Sequence, residues 1–186
     1  MKREWMQILA MVCVLLAATT VFGEKAPQKI YDLAENELAA LGENPVIIAA
    51  VKAENEKGKT LAEIKEMDEA WKDTPGIVDY MTAMMESECG KFLRKIQNSS
   101  AFYAEIFVMD NQGANVAMTD KTSDYWQGDE AKFKKSFNDG KGAVFVDDVE
   151  FDDSAQVYLV QVSVPVRDAG RVIGAITFGI DVDQVE

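Results

Sequence analysis

The chain has 186 residues, with 19 Lys and Arg against 32 Asp and Glu, a net charge of −13, and no histidine. That charge repels nucleic acid and anionic lipid and argues against either as a partner. Without His, Ser-His and Cys-His nucleophilic catalysis is excluded, and the commonest general base and metal ligand are missing.

Residues 1–23 read as an export segment. Lys2 and Arg3 form a cationic start, and Ile8 to Phe22 is apolar apart from Thr19 and Thr20. About fifteen helical residues rise ~22 Å, short of the ~30 Å hydrocarbon core. Val21 and Gly23 place short side chains three and one residues before a cleavage point. Glu24 is thus the expected mature N-terminus, and the expected product is periplasmic or secreted. The other reading is an uncleaved membrane anchor, since Trp5 and Met6 can lengthen the apolar run. Cys13 lacks the small residues that a lipidation site needs before it. Loss of Lys2, Arg3 and Glu4 takes the net charge from −13 to −14. Cys89 is then the sole cysteine, so no internal disulfide forms, and its apolar helical setting reads as a buried, inert thiol.

Four helix starts precede residue 100. The first helix is expected from Gln28 to Leu41, with Gly42 as its stop. Asn44-Pro45 gives a cap followed by Pro at the first helical position and opens a helix to Lys57. Thr60 with Glu63 matches a capping box and opens a third, ending near Trp71. Thr74-Pro75 repeats the cap-plus-Pro device and predicts the longest helix, to Gln97, with Ile77, Tyr80, Met81, Met84, Met85, Phe92, Leu93 and Ile96 spaced mainly at three and four. The methionines in it read as gap-filling core.

After Ser100 the period becomes two. Ala104 to Met109 and Ala114 to Met118 read as strands around the turn Asp110–Gly113. A polar loop, Thr119 to Gly128, leads to a short helix from Glu130 to Phe137, stopped by Asn138-Asp139-Gly140. Three more strands are expected: Ala143 to Val149, Gln156 to Val166 and Val172 to Ile180, the last two joined by the tight turn Arg167–Gly170. The acidic run Asp147, Asp148, Glu150, Asp152, Asp153 lacks the Gly-containing spacing of a calcium loop and reads as a solvated hairpin. The sum is an α+β fold: a helical region, 24–100, packed on one face of a five-stranded, mostly antiparallel sheet, 101–186, the two forming one domain. The loop and short helix, 119–137, are expected to cover the other face.

No phosphate-cradling Gly loop, zinc spacing or polar cleft signal is present, and no enzyme activity or cofactor is expected. The informative stretch is Asp124-Tyr125-Trp126-Gln127-Gly128-Asp129. Adjacent large aromatics in a polar loop need something to pack on. Either they close over a small amphipathic molecule or they plug the sheet.

Four stretches in order, FVMDNQGANVAMTD (107–120), DYWQGDEAKFKKSF (124–137), GKGAVFVDDV (140–149) and YLVQVSVPVRDAGRVIGAITFGIDVD (158–183), carry a resemblance. They resemble the extracytoplasmic Cache sensor domains, also called PDC domains, whose sheet is PAS-like. The helical part, 27–98, resembles more loosely the N-terminal helix region of single-Cache domains. The resemblance implies a sensor of small extracytoplasmic molecules, with its pocket between the central sheet and the aromatic loop. Family ligands include amino acids, amines and short carboxylates such as pyruvate and acetate, the last taken as the expectation here. Tyr125 and Trp126 match the pocket wall, Asp129 the acidic position after it, and Asp181 a polar position ending the last strand. Tyr158 and Ser163 lie five apart and face opposite sides of an unbroken strand; Tyr158 is the one expected to face inward. Amino-acid-binding members carry Arg where this chain has Asp124, so a carboxylate needs another cation, and Lys121 is the nearest, unless it is merely solvated. Partners implied are a small-molecule ligand and a membrane receptor or histidine kinase, with homodimerisation through the helical region left open. Most members sit between two membrane helices, so a chain closing at Glu186 is expected to bind without signalling by itself. The alternative is an exported interaction module without a working pocket.

Overall fold

A computed structural model describes residues 23–152 and 156–185. The export segment read over 1–23 lies outside the described residues apart from Gly23, and so does its cleavage. Among the described residues six strands form one antiparallel sheet in the order β1-β4-β5-β6-β2-β3. They are β1 (Glu24–Lys25), β2 (Tyr103–Met109), β3 (Asn115–Met118), β4 (Phe145–Asp152), β5 (Val157–Asp168) and β6 (Arg171–Asp181). The expected sheet had five. The extra strand is the two-residue β1, which pairs Glu24 with Val149 and Lys25 with Asp148 at the edge. Two residues carry no alternation for a sequence pattern to show. The acidic run to Asp152 also lies along β4 itself rather than in a hairpin.

Alternation divides the long strands between two cores. Val160, Val162, Val164 and Val166 of β5, Ile176, Phe178 and Ile180 of β6, and Ile106 and Val108 of β2 form one apolar layer. Against it pack α1 (Gln28–Leu33), α2 (Pro45–Glu56) and α5 (Glu88–Gln97), through Ile30, Ile47, Val51 and Leu93. The α1 axis runs on through a π segment, Ala34–Leu38, to a last turn at Ala39–Leu41. A second cluster joins Phe107, Met109 and Ala175 of the opposite face to Phe133 of α6 (Ala131–Phe137). It also takes in Ile64 and Trp71 of α3 (Leu61–Asp73), Met81 of α4 (Asp79–Glu86), and Tyr125.

Local chemistry sets the helix starts. Asn44 Oδ1 accepts the Val46 N–H at 3.0 Å. Thr60 and Glu63 form the reciprocal box, with Thr60 N–H to Glu63 Oε2 at 2.7 Å. The long helix expected over 75–97 is instead two. Pro75 is followed by Gly76 at φ +74°, so the chain turns there and α4 begins only at Asp79. At Ser87 the backbone is extended (φ −58°, ψ 164°), and the Ser87 hydroxyl caps α5 by accepting the Gly90 N–H at 2.9 Å. The break turns Met81 into one core while Cys89 and Leu93 enter the other.

The loop expected to cover the second face does so only in part. Residues 119–128 run beside the edge strand β3: Asn115 N–H donates to the Tyr125 carbonyl (2.9 Å), Gln127 N–H to the Gly113 carbonyl (2.8 Å), and Ala114 bridges Trp126. Of that segment α6 crosses the face, where its Phe133 joins the second core. The helices α3 and α4, expected on the other face with the rest of the helical region, close this same core through Ile64, Trp71 and Met81, because the Gly76 and Ser87 breaks free them from α5.

Candidate functional site

The aromatic loop is strapped to α3 by one carboxylate. Asp68 is buried, and its Oδ1 accepts the backbone N–H groups of both Tyr125 (2.9 Å) and Trp126 (3.0 Å). Lys72 bridges Asp68 (2.7 Å) and Asp124 (3.0 Å), so the Asp124 carboxylate is itself paired with a Lys. Trp71 Nε1 donates to the Thr122 carbonyl at 2.8 Å. Lys121, the expected cation, donates to the Thr74 carbonyl at 2.7 Å. These bonds fix which way the two aromatic rings point.

Tyr125 points inward. Its ring lies 5.6 Å from that of Trp71, and its hydroxyl accepts from Lys59 Nζ at 3.0 Å. Trp126 lies to the side, with Nε1 donating to the Gln112 carbonyl (2.8 Å) and Lys65 Nζ 4.6 Å from its ring centre.

Beside Tyr125 opens a cavity of about 840 Å³, between α2, the α4–α5 corner and the start of β3. Its apolar wall includes Val46, Ala49 and Ala50 of α2, Met67 of α3, Ala83 and Met84 of α4, and Val116. The methionines of the expected long helix thus separate, Met81 into the core and Met84 onto the cavity. Polar groups lining it are Glu54, Lys57, Lys59, Ser87, Glu88, Asn115 and Tyr125. Of the residues expected to form a site, Tyr125 alone lines this cavity. Asp129 is exposed in the turn before α6. Tyr158 is 52% exposed near the far end of the sheet, edge-on to Phe151, while Asp181 Oδ1 accepts the Asp183 N–H at the end of β6. Ser163 is buried and shares a 2.8 Å hydrogen bond with Thr177.

Three residues that sequence reading passed over carry the electrostatics here. Glu54 takes ion pairs from Lys57 (2.6 Å) and Lys59 (2.5 Å). Burial works against the Glu54 carboxylate, but these hydrogen bonds outweigh it and hold its pKa below the ordinary value. Burial likewise pulls the Lys59 ammonium down, and its bonds to Glu54 and Tyr125 reverse this, so Lys59 stays charged. Tyr125 is raised by burial and keeps its proton at neutral pH. Two ammonium groups share one carboxylate. Among the described residues, Lys59 bonds two acceptors with its three N–H groups, and the Tyr125 hydroxyl proton has no acceptor. Two donors therefore converge on the cavity. The local signal was Gly58 at φ +63°, the turn residue between the two lysines, but Lys59 meets Tyr125 across 66 positions.

The fold, an antiparallel sheet with helices packed toward both faces, is similar to that of solved sensory domains of chemoreceptors and histidine kinases. One is the ligand-binding domain of the Campylobacter jejuni chemoreceptor Tlp3 in complex with 4-methylisoleucine, at 12% identity and TM-score 0.43, covering 86% of this chain and 62% of that one. The sensor domain of the V. cholerae histidine kinase DctB matches at 12% identity and TM-score 0.39, over 86% of this chain and 59% of that one. The E. coli DcuS sensor domain matches at 17% identity and TM-score 0.40, over 67% of this chain and 90% of that one. This chain thus spans about three fifths of the length of the Tlp3 and DctB domains. No protein-family model and no curated protein matches the sequence. Among the described residues no helix is long and apolar enough to cross a membrane.

Proposed function

We propose that this chain is an extracytoplasmic ligand-binding domain that takes a small carboxylate-bearing molecule and presents its ligand state to a membrane receptor or histidine kinase. The observation that carries the binding reading is the meeting of Lys59 and Tyr125, two hydrogen-bond donors 3.0 Å apart, on a largely apolar cavity of about 840 Å³. Cavities of roughly 300–1,000 Å³ with a few convergent polar groups are the usual form of small-molecule sites. A carboxylate fits the polar corner because it accepts from both donors and balances the second ammonium. Pyruvate and acetate carry the head group that this corner accepts. The Cache resemblance of the strand half supplies the signalling part of the proposal.

A thermal-shift screen of short acids, longer acids, amino acids and amines tests it. At least one carboxylate should raise the melting temperature, and Tyr125→Phe, which deletes one donor, should weaken that ligand about fivefold to twentyfold. Melting unmoved by the whole panel removes the ligand-binding reading and leaves an exported interaction module.

A further inference from the structure

We infer that the occupant of the Tyr125 cavity is a free amphipathic monocarboxylate with an apolar body of about eight to twelve carbons, rather than a two- or three-carbon acid. The inference rests on the binding reading above and concerns the size and charge of the ligand. Acetate has four heavy atoms. At ~30 Å³ for each it fills about a seventh of an 840 Å³ cavity and leaves the apolar wall against water. That wall is long. From Glu54 back to Val46, α2 supplies lining over eight residues, a rise of about 12 Å.

Its composition suits a chain. Ala49, Ala50 and Ala83 leave room, and Met67 and Met84 are unbranched side chains that reshape around an apolar guest. Met67 and Tyr80 are each 38% exposed, so this apolar lining faces solvent.

Charge selects the head group and its number. At the Glu54 corner Lys57 and Lys59 outnumber the single carboxylate, so one anion is matched. Asp110 lies behind Lys59, but burial pushes its carboxyl up and disfavours its charge. The other acid on the cavity is the exposed Glu88 at the start of α5, which repels a second carboxylate. A dicarboxylate therefore meets repulsion or an apolar surface with its second end, whereas a monocarboxylate meets neither.

Calorimetric titration of the full chain with acetate, butyrate, octanoate, decanoate, octylamine and octane-1,8-dioate tests this. Each methylene buried should strengthen binding about threefold to fourfold, so decanoate should bind more than a hundredfold tighter than butyrate. Octylamine and the dioate should bind at least thirtyfold more weakly than octanoate. Lys59→Met should lower octanoate affinity at least tenfold. Ala49→Trp, a change at an exposed lining position that fills the cavity, should abolish binding while melting stays unchanged. Affinity that is flat with chain length, tighter binding of the dioate, or octanoate binding untouched by Ala49→Trp overturns the inference. If acetate or pyruvate binds and octanoate does not, the cavity remains a ligand site and only the size assignment falls. If no acid, amino acid or amine binds, both proposals fall together.

Discussion

Asp68 Oδ1 accepts the backbone N–H of Tyr125 at 2.9 Å, joining α3 to the aromatic loop across 57 positions in the chain. The same oxygen holds Trp126 N–H at 3.0 Å, so one buried carboxylate fixes the stretch of backbone that presents Tyr125 to the cavity. Asp68→Ala leaves the buried Tyr125 N–H and the part-buried Trp126 N–H without their acceptor. A loss of about 2–4 kcal/mol in urea unfolding is expected, with ligand affinity falling as well. Asp68→Asn keeps an acceptor oxygen and should lose about half as much. Lys72→Met removes only the half-exposed partner of the pair and should cost less than about 1 kcal/mol. A Lys72 variant as damaging as Asp68→Ala would show that the ion pair, and not the backbone bonds, holds the loop.

The α4–α5 break is fixed by Gly90 as much as by Ser87. A Cβ on Gly90 would lie inside contact distance of the Met84 and Met85 carbonyl oxygens at the end of α4. Helix propensity alone predicts that Gly90→Ala stabilises α5 by about 1 kcal/mol. The backbone collision reverses the sign, and a net loss of about 1–3 kcal/mol is expected. Thermal unfolding of the variant decides between the two. A raised melting temperature would mean that α4 and α5 can part without cost.

Where the fold follows from contacts within a few residues, the sequence displayed it. The Asn44-Pro45 cap, the Thr60–Glu63 box and the Asp110–Gly113 turn, in which Asp110 Oδ1 accepts the Gln112 and Ala114 N–H groups, are all local devices. So is the Asp168–Arg171 hairpin, with Ala169 and Gly170 at positive φ. The Ser87 break was hidden because the apolar spacing of α4 and α5 continues across it, and only the bend shows that the two helices serve different cores. The site was legible through Tyr125, an aromatic with no local reason to be buried. Lys59 was not: a Lys beside a Gly in a charged turn has a solvated face as its default, and only the distant Tyr125 and the nearer Glu54 make it part of a cavity.

Cys89 borders the cavity yet should be chemically quiet. Burial pushes its thiol from about 9 up to about 12. That leaves roughly a thousandfold less thiolate at pH 8, and the thiolate is the species that alkylates. Iodoacetamide labelling of the Cys89 peptide, followed by mass spectrometry, should be at least a hundredfold slower in the native protein than in urea. Comparable rates in the two states would mean that the α5 start opens readily. A ligand filling the cavity should slow the native rate further by lowering the population of such openings.

Glu105 should make stability fall as pH rises. It sits on β2, where burial pushes its carboxyl up, with Lys132 pulling the other way and Asp152 and Asp120 adding to the rise. A carboxyl raised on folding binds its proton more tightly in the native state than in the unfolded chain. Between the unfolded and folded pKa values the native state therefore carries more protons, and the slope of stability against pH is negative there. Below the unfolded value of about 4.3 both states are protonated and the penalty vanishes. Above the folded value it is fully present. Glu54, held low by Lys57 and Lys59, acts in the opposite direction, adding stability that is lost as pH falls through its folded pKa. The two contributions separate by mutation. Glu105→Gln keeps the shape and a hydrogen-bonding oxygen for Gln161 but cannot ionise. It should match the parent protein at pH 4, where Glu105 is already neutral, and exceed it in urea-unfolding stability at pH 7.5. A Glu105→Gln variant that is less stable than the parent at pH 7.5 would show that Lys132 draws net stability from the ionised form, against the direction argued from burial.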